Sequence, residues 1–421
     1  MTSRHRPLTD RRHRVAAILL ASALLGFGAI PATPQTASAH APSVDTPRVA
    51  WSTTGETDET VSSSAAVDKF RKRLARPIKL GVSGGNATDI RPADEPGFVV
   101  CSSGTLGGLV LKNGVPHILS NNHVIAIQND AEIGDPIDQP GLIDNGCRDV
   151  EDNYVGTLSA YKKLKFGGER TNRVDAAIAE IIEGTVDPRG RIQGIGIPGD
   201  VILEPELGMP VKKAGRTTGI TRGTIDTIDA TFNVEFGEED NPRDARFVRQ
   251  LLIAPSGETF VEGGDSGAIV FYDRRKCEQW VGLLFAGTDS GFGIVNPIKK
   301  VFSVLKKRKP KGPLSPIGCD SASVADTASL TAFSAAARGR TRRARLERRV
   351  RAARRIVEQR DDEILGLDGV VGIGVGLDST GHQVRLNVLV AATDPQYLAA
   401  IPQEIDGVPT QIVETGRIKA F

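Results

Sequence analysis

Residues 262–272 read Glu262-Gly263-Gly264-Asp265-Ser266-Gly267-Ala268-Ile269-Val270-Phe271-Tyr272, a glycine-bracketed serine that leads at once into an apolar run. Glycines on both sides allow backbone angles that side-chain-bearing residues resist, so the segment reads as a tight turn before a buried strand. Similar short runs recur on either side, at 109–111, 117–119, 174–182, 211–213, 223–236, 247–253, 280–285 and 293–295, separated by Gly, Asn, Asp and Pro. Many short strands at this spacing, with few helix-period stretches between about residues 99 and 303, predict a mainly β barrel or sandwich. Residues 297–307 carry apolar side chains at 298, 301, 302 and 305, a spacing that predicts a closing helix.

The whole chain of 421 residues is long enough for two folded units. Its 39% hydrophobic and 5% aromatic residues argue against a multi-span membrane protein, and four cysteines are too few for a disulfide-knotted miniprotein. The formal charge of +2 conceals opposed blocks. Residues 1–39 hold five basic residues and one acidic, and residues 338–360 hold eleven arginines against Glu347 and Glu358. What remains has 37 basic and 48 acidic residues, a body near −11.

The two ends differ from the middle. A basic start (Arg4, Arg6, Arg11, Arg12, Arg14), an apolar run over 15–30 and nested small-residue sites at 37–41 predict a cleaved export signal over 1–39. A secreted product without stable membrane insertion follows from that reading. Residues 40–98 form an N-terminal extension: a polar leader over 41–65, then an amphipathic helix at 66–77 ending before Pro77. A connector occupies 309–341. Residues 342–365 are helix-forming, with Leu346, Val350, Ala353, Val357 and Ile364 on one side, and strand-like runs at 369–377, 383–391 and 410–413 flank a short helix near 395–400. The α-β-β-α-β order predicts a small α+β domain within 342–421. Glycines 372, 374 and 376 follow a helix and precede a turn, the reverse of a dinucleotide loop. The eleven arginines suit an anionic surface, a solvated tether or a cleavable linker. The absence of aromatic stacking residues among them favours the tether and predicts no nucleic-acid partner.

Three segments carry chemistry: Ser120-Asn121-Asn122-His123-Val124 after a β-run, Arg173-Val174-Asp175-Ala176 opening an apolar strand, and the Ser266 turn. A serine hydroxyl near neutral pH needs a base beside it, and the base needs an orienting carboxylate. Glycines at the serine let two backbone N–H groups converge on a developing oxyanion. His…Asp…Ser is one of the chain orders in which such groups meet in space.

On these residues, with Cys101-Ser102-Ser103-Gly104-Thr105-Leu106, Gly215-Arg216-Thr217-Thr218-Gly219 and Leu283-Leu284-Phe285-Ala286-Gly287, the segment 99–308 resembles the trypsin-like (chymotrypsin-fold) serine peptidases of bacterial secreted type. The resemblance implies two six-stranded antiparallel β-barrels. It implies Ser266 as nucleophile, His123 as general base and then acid, Asp175 as support for the imidazolium, and the N–H groups of Gly264 and Ser266 as oxyanion hole. Asp265 would lock the turn through a buried ion pair formed on maturation, although the mature start is ill suited to terminal insertion. Counting back from the nucleophile puts Phe260 at the base of the specificity pocket, with Phe285 and Gly287 on its walls, which implies an apolar rather than a Lys or Arg preference. Val124 stands where the animal enzymes have a cysteine beside the histidine. Cys101, Cys147, Cys277 and Cys319 allow three pairings. No Cys-x-x-Cys pair or EF-hand-type loop is present, so neither metal nor organic cofactor is expected.

The functional expectation is an exported serine endopeptidase acting on protein or peptide substrates. Its rivals are a silent trypsin-like binding module and a serine esterase on the same site. The C-terminal module, which resembles one found beside bacterial trypsin-like domains, is read as an intramolecular pro-domain that inhibits or chaperones the peptidase.

Overall fold

Short half-apolar strands leave unpaired edges unless their sheet closes on itself, and this chain closes two. A computed structural model describes residues 48–49, 64–93, 96–167, 170–237, 242–274, 276–320 and 337–420; the expected export signal and most of the connector lie outside the described residues. The first barrel runs through Val82–Asn86, Gly104–Leu106 continued by Gly108–Lys112, Val115–Ser120, Ala177–Ile181, Tyr154–Tyr161 and Pro136–Asp138, which returns to Val82–Asn86. The second runs through Pro210–Gly215, Gly219–Phe236, Arg243–Pro255, Gly293–Pro297, Trp280–Thr288 and Ile269–Tyr272, which pairs back to Pro210–Gly215. Each ring has six antiparallel strands, as expected of the mainly β fold.

The first ring takes one strand from further upstream than Val99. Val82 and, before it, Ile78 and Leu80 are buried, and residues 82–86 close the gap between the strands at 104–106 and 136–138. The N-terminal helix is also shorter than expected, Ser64–Arg71, because the chain beyond it is drawn out along the first barrel, where Leu74 N–H donates to Gln139 Oε1 at 3.0 Å. Helix Ile298–Leu305 buries Ile298, Val301, Phe302 and Leu305, the residues its spacing predicted. Trp280 lies at the seam, edge-on to Phe271, and donates from Nε1 to the carbonyl of Gly199. The disulfides are Cys101–Cys147 and Cys277–Cys319; the second ties the segment after the closing helix to the second barrel.

The C-terminal segment folds in the expected order, with helices Ala337–Leu365 and Pro395–Ala400 and strands Val370–Leu377, Val384–Val390 and Val408–Glu414. Its sheet is continuous with the second barrel. Val370–Leu377 pairs antiparallel with the long strand Gly219–Phe236, placing Ile228 opposite Val375 and Phe232 opposite Gly372. The alternate glycines owe their identity to this contact. A Cβ at Gly372 would lie 2.5 Å from the Phe232 ring, and one at Gly374 would lie 2.4 Å from Thr227 Cγ2 and 3.0 Å from the Ala230 backbone. The arginine-rich helix is docked rather than suspended. Ala353, Ile356, Val357 and Ile364 join the apolar cluster of the second barrel, and Arg354–Asp229 (2.6 Å), Arg249–Glu358 (2.6 Å) and Arg246–Asp361 (3.0 Å) flank the seam.

Candidate active site

His123 and Asp175 are 52 residues apart, yet the ladder between Val115–Ser120 and Ala177–Ile181 sets Ser120 opposite Ala177. The residues just beyond that pair, one strand's exit and the other's entry, therefore share one rim of the first barrel. There His123 Nδ1 lies 2.5 Å from Asp175 Oδ2. The other carboxylate oxygen accepts the backbone N–H groups of Asn122 (2.6 Å) and His123 (3.3 Å), so both oxygens are engaged in a site without solvent exposure. A carboxylate at Nδ1 keeps the ring proton there and makes Nε2 the basic nitrogen.

Ser266 belongs to the second barrel and meets the first across the seam. Its carbonyl accepts the N–H of Thr105 at 2.8 Å, and its Oγ donates to the carbonyl of Phe285 at 3.2 Å. Thr105 follows Gly104, at which a Cβ would press against Val124, the neighbour of His123, and lie 3.0 Å from the Ser266 carbonyl. The turn demands glycine at 267, where φ is +100° and a Cβ would fall 2.1 Å from the Thr105 carbonyl oxygen. Among the described residues, the N–H groups of Gly264 and Ser266 donate to no acceptor. That leaves them available to a negatively charged oxygen.

Asp265 is held by a cage. Lys213 Nζ lies 2.8 Å from Oδ2, the Thr218 hydroxyl donates to Oδ2 at 2.7 Å, and the N–H groups of Thr217 and Thr218 donate to Oδ1 at 2.8 and 3.1 Å. Burial alone would raise this carboxyl, but the Lys213 charge and these hydrogen bonds hold it below its ordinary value. Burial in turn lowers the Lys213 ammonium against the pull of Asp265. The partner of Asp265 is thus a lysine already in the chain, not a terminus produced on maturation. The intervening Gly215–Gly219 motif supplies the amides, and Arg216 forks onto Asp144 of the first barrel at 2.7 and 2.8 Å.

The three residues expected to shape a specificity pocket are not gathered in one. Phe260 is fully buried inside the second barrel, its ring 2.6 Å from where a Cβ of Gly293 would stand. Phe285 is equally buried but in a different cluster, with its ring centroid 4.5 Å from that of Phe247. Gly287 pairs with Gly293 on one side and with Lys419 on the other.

Three contributors escaped the sequence reading. Asn296 accepts the Asp175 N–H at Oδ1 (3.0 Å) and donates to the Leu283 carbonyl (3.2 Å), tying the His–Asp rim to the second barrel. Its one signal was an amide side chain in the otherwise apolar run Gly293–Val295 and Pro297. Lys213 had a comparable signal, a lysine among strand residues beside the Gly-Arg-Thr-Thr-Gly motif. Phe236 sets its ring edge-on to His123 with centroids 5.8 Å apart, and nothing local marks it. A cavity of about 110 Å³ opens beside His123, walled by Ser102, Ser103, Val124, Gln128, Arg243 and Ala420.

No protein-family model and no curated protein matches the chain. Among solved structures it is similar to a glutamic acid specific serine protease that uses a histidine triad in substrate binding, at 17% identity and a TM-score of 0.36 over 57% of this chain and 100% of that one. It is similar to Thermobifida fusca protease A at 16% identity, with a TM-score of 0.35 over 56% of this chain and 98% of that one. It is similar also to an α-lytic protease homologue, N4, at 14% identity, with a TM-score of 0.36 over the same shares of the two chains.

Proposed function

We propose that this chain is an exported serine endopeptidase that hydrolyses peptide bonds through an acyl-enzyme. The observation that carries the reading is the buried His123 Nδ1–Asp175 Oδ2 hydrogen bond at the barrel seam, beside a glycine-bracketed Ser266. In the proposed reaction the Ser266 hydroxyl leaves the Phe285 carbonyl and gives its proton to His123 Nε2 as Oγ attacks the scissile carbonyl. Asp175 stabilises the imidazolium through Nδ1–H, and the N–H groups of Gly264 and Ser266 receive the oxyanion. His123 then returns the proton to the departing amine. Water repeats the sequence on the acyl-enzyme and releases the acid. Every proton moves between groups of this chain, substrate and water.

Export is supported by the two disulfides, which persist in oxidising compartments, and by the basic, apolar and small-residue layout of residues 1–39. Among the described residues no helix is long and apolar enough to cross a membrane.

The test is fluorophosphonate labelling of the mature chain with Ser266→Ala as control, followed by a diverse peptide library. Labelling that Ser266→Ala abolishes, together with peptide turnover, is the expected result. Absence of labelling under every condition, including those of the next section, would overturn the hydrolase reading. Labelling with turnover of simple esters alone would replace endopeptidase by esterase.

A further inference from the structure

The nucleophile is completely covered in the intact chain: Ser266 has no solvent-exposed surface. Residues from the far C-terminal end of the described chain lie along the strand whose Phe285 carbonyl accepts the Ser266 hydroxyl. Strand Ile269–Tyr272 pairs with strand Trp280–Thr288 as far as Leu283, and the next residue, Leu284, still donates to the Ala268 carbonyl and accepts the Gly267 N–H, both at 3.0 Å, so the edge that another strand can take begins past Leu284. Ile418–Lys419 takes it. Lys419 lies antiparallel to Gly287 and Ile418 to Thr288, while Lys419 also pairs in parallel with Glu235 at the end of strand Gly219–Phe236. The Ala420 N–H donates to the Glu235 carbonyl at 2.9 Å, and the Arg417 N–H donates to Asp289 Oδ2 at 2.9 Å. Ile418 is buried among Phe236, Phe247 and Phe285, and Ala420 forms one wall of the cavity beside His123.

The direction of this strand matters. In the antiparallel register each step beyond Lys419 moves one residue back from Gly287 toward Phe285, whose carbonyl binds Ser266 Oγ. A polypeptide laid along the same edge toward Ser266 would have to use these backbone groups. Strand addition to an open edge draws its affinity from main-chain hydrogen bonds, so two segments cannot occupy it together. We infer that residues 415–420 are a built-in inhibitory strand, held in the peptide-binding edge of the site and displaced before an extended substrate binds. The inference rests on the endopeptidase reading. It narrows the inhibitory role expected of the whole C-terminal module to one short segment. The module supplies the anchor: Thr415 is buried, its N–H donates to the Val390 carbonyl at 3.0 Å, and strand Val384–Val390 belongs to the sheet built on the second barrel. A tether of this kind holds the segment at an effective concentration of order millimolar, so even a weak ligand occupies the edge.

The test uses the full chain and two variants. Ala420→Pro removes the N–H that Glu235 accepts, and Ile418→Asp places a carboxylate among the phenylalanines. Thermal melting of each checks that the fold persists. Second-order fluorophosphonate labelling at Ser266 should be slow in wild type and at least about tenfold faster in both variants. A synthetic peptide of residues 414–421, added at millimolar concentration, should slow the variants again in competition with substrate. The same peptide carrying a fluorophore should bind Ala420→Pro/Ser266→Ala by fluorescence anisotropy, a readout independent of catalysis. Variants that melt like wild type and label at its rate would overturn the inhibition while leaving the hydrolase reading standing, as would failure of the peptide to bind. Peptide binding without labelling of any variant would overturn the hydrolase reading, and the inhibition with it.

Discussion

Replacing Lys213 with methionine removes the ammonium from the Asp265 cage while keeping most of the side chain's volume. Both groups are without solvent exposure, and their separation of 2.8 Å makes the pair a direct contact. Breaking such a pair from one side leaves an uncompensated buried charge, which costs about 3–5 kcal/mol. The Thr218 hydroxyl and the amides of Thr217 and Thr218 still reach the carboxylate, which favours the lower end, about 3 kcal/mol near neutral pH. The pH dependence is the sharper signature. In wild type the Asp265 carboxyl sits below its ordinary value, so its contribution is present above about pH 4 and is lost as pH falls through the folded value. Without Lys213, desolvation is opposed only by hydrogen bonds and the carboxyl rises. The variant's penalty is then largest at high pH and shrinks as protonation relieves it. Urea midpoints at pH 8 and pH 5.5 measure both quantities. Asp265 adjoins Ser266, so labelling of the nucleophile should slow in parallel with the loss of stability. A penalty below about 1 kcal/mol at pH 8, or one that grows on acidification, would refute the claim that Lys213 provides the charge that holds this turn.

Asp175→Asn keeps an oxygen for the Asn122 and His123 amides but presents an N–H₂ to His123 Nδ1, so kcat/KM should fall by about 10³–10⁴ in a peptide assay while the melting temperature moves little. Gly374→Ala introduces a methyl 3.0 Å from the Ala230 backbone and 2.4 Å from Thr227 Cγ2; stability should drop by about 1–3 kcal/mol in urea, with faster amide exchange along residues 370–377. Asp187 is held at about 2 chiefly by its hydrogen bond from Arg189, with the Arg189 amide and Arg191 assisting, so it contributes stability above about pH 4 that disappears as pH falls toward 2. Because Arg189 is largely exposed, the advantage over Asp187→Asn should be only about 1 kcal/mol at pH 7 in urea and should vanish near pH 2.

Much of the site was legible because its reactive members carry local marks. Ser266 stands between glycines, His123 follows two asparagines at a strand end, and Asp175 opens an apolar strand. The closing helix and most strands of the second barrel were legible for the same reason, since periodicity and punctuation are short-range properties, whereas the first-barrel strands at 82–86, 136–138 and 154–161 carried no such mark. Asn296 and Lys213 were not legible as parts of the site, because what they do depends on partners 121 and 52 residues away. Phe260 illustrates the converse. Its distance from Ser266 along the chain suggested a pocket floor, but the inward face of the second barrel claims its ring.

Residue types, their alternation and their turn chemistry were thus enough to read, from the sequence alone, a mainly β segment and the candidates His123, Asp175 and Ser266, while the two six-stranded barrels were implied only by the resemblance. Tertiary structure decided which cations neutralise which carboxylates, which cysteines join, and that alternate glycines fuse the C-terminal sheet to the second barrel. It also decided that residues 418–420 return to strand Trp280–Thr288 and to the cavity beside His123. Pairing across an open strand edge is carried by backbone groups that every residue shares, so no side-chain pattern announces it; only the closure of the sheet selects the partner.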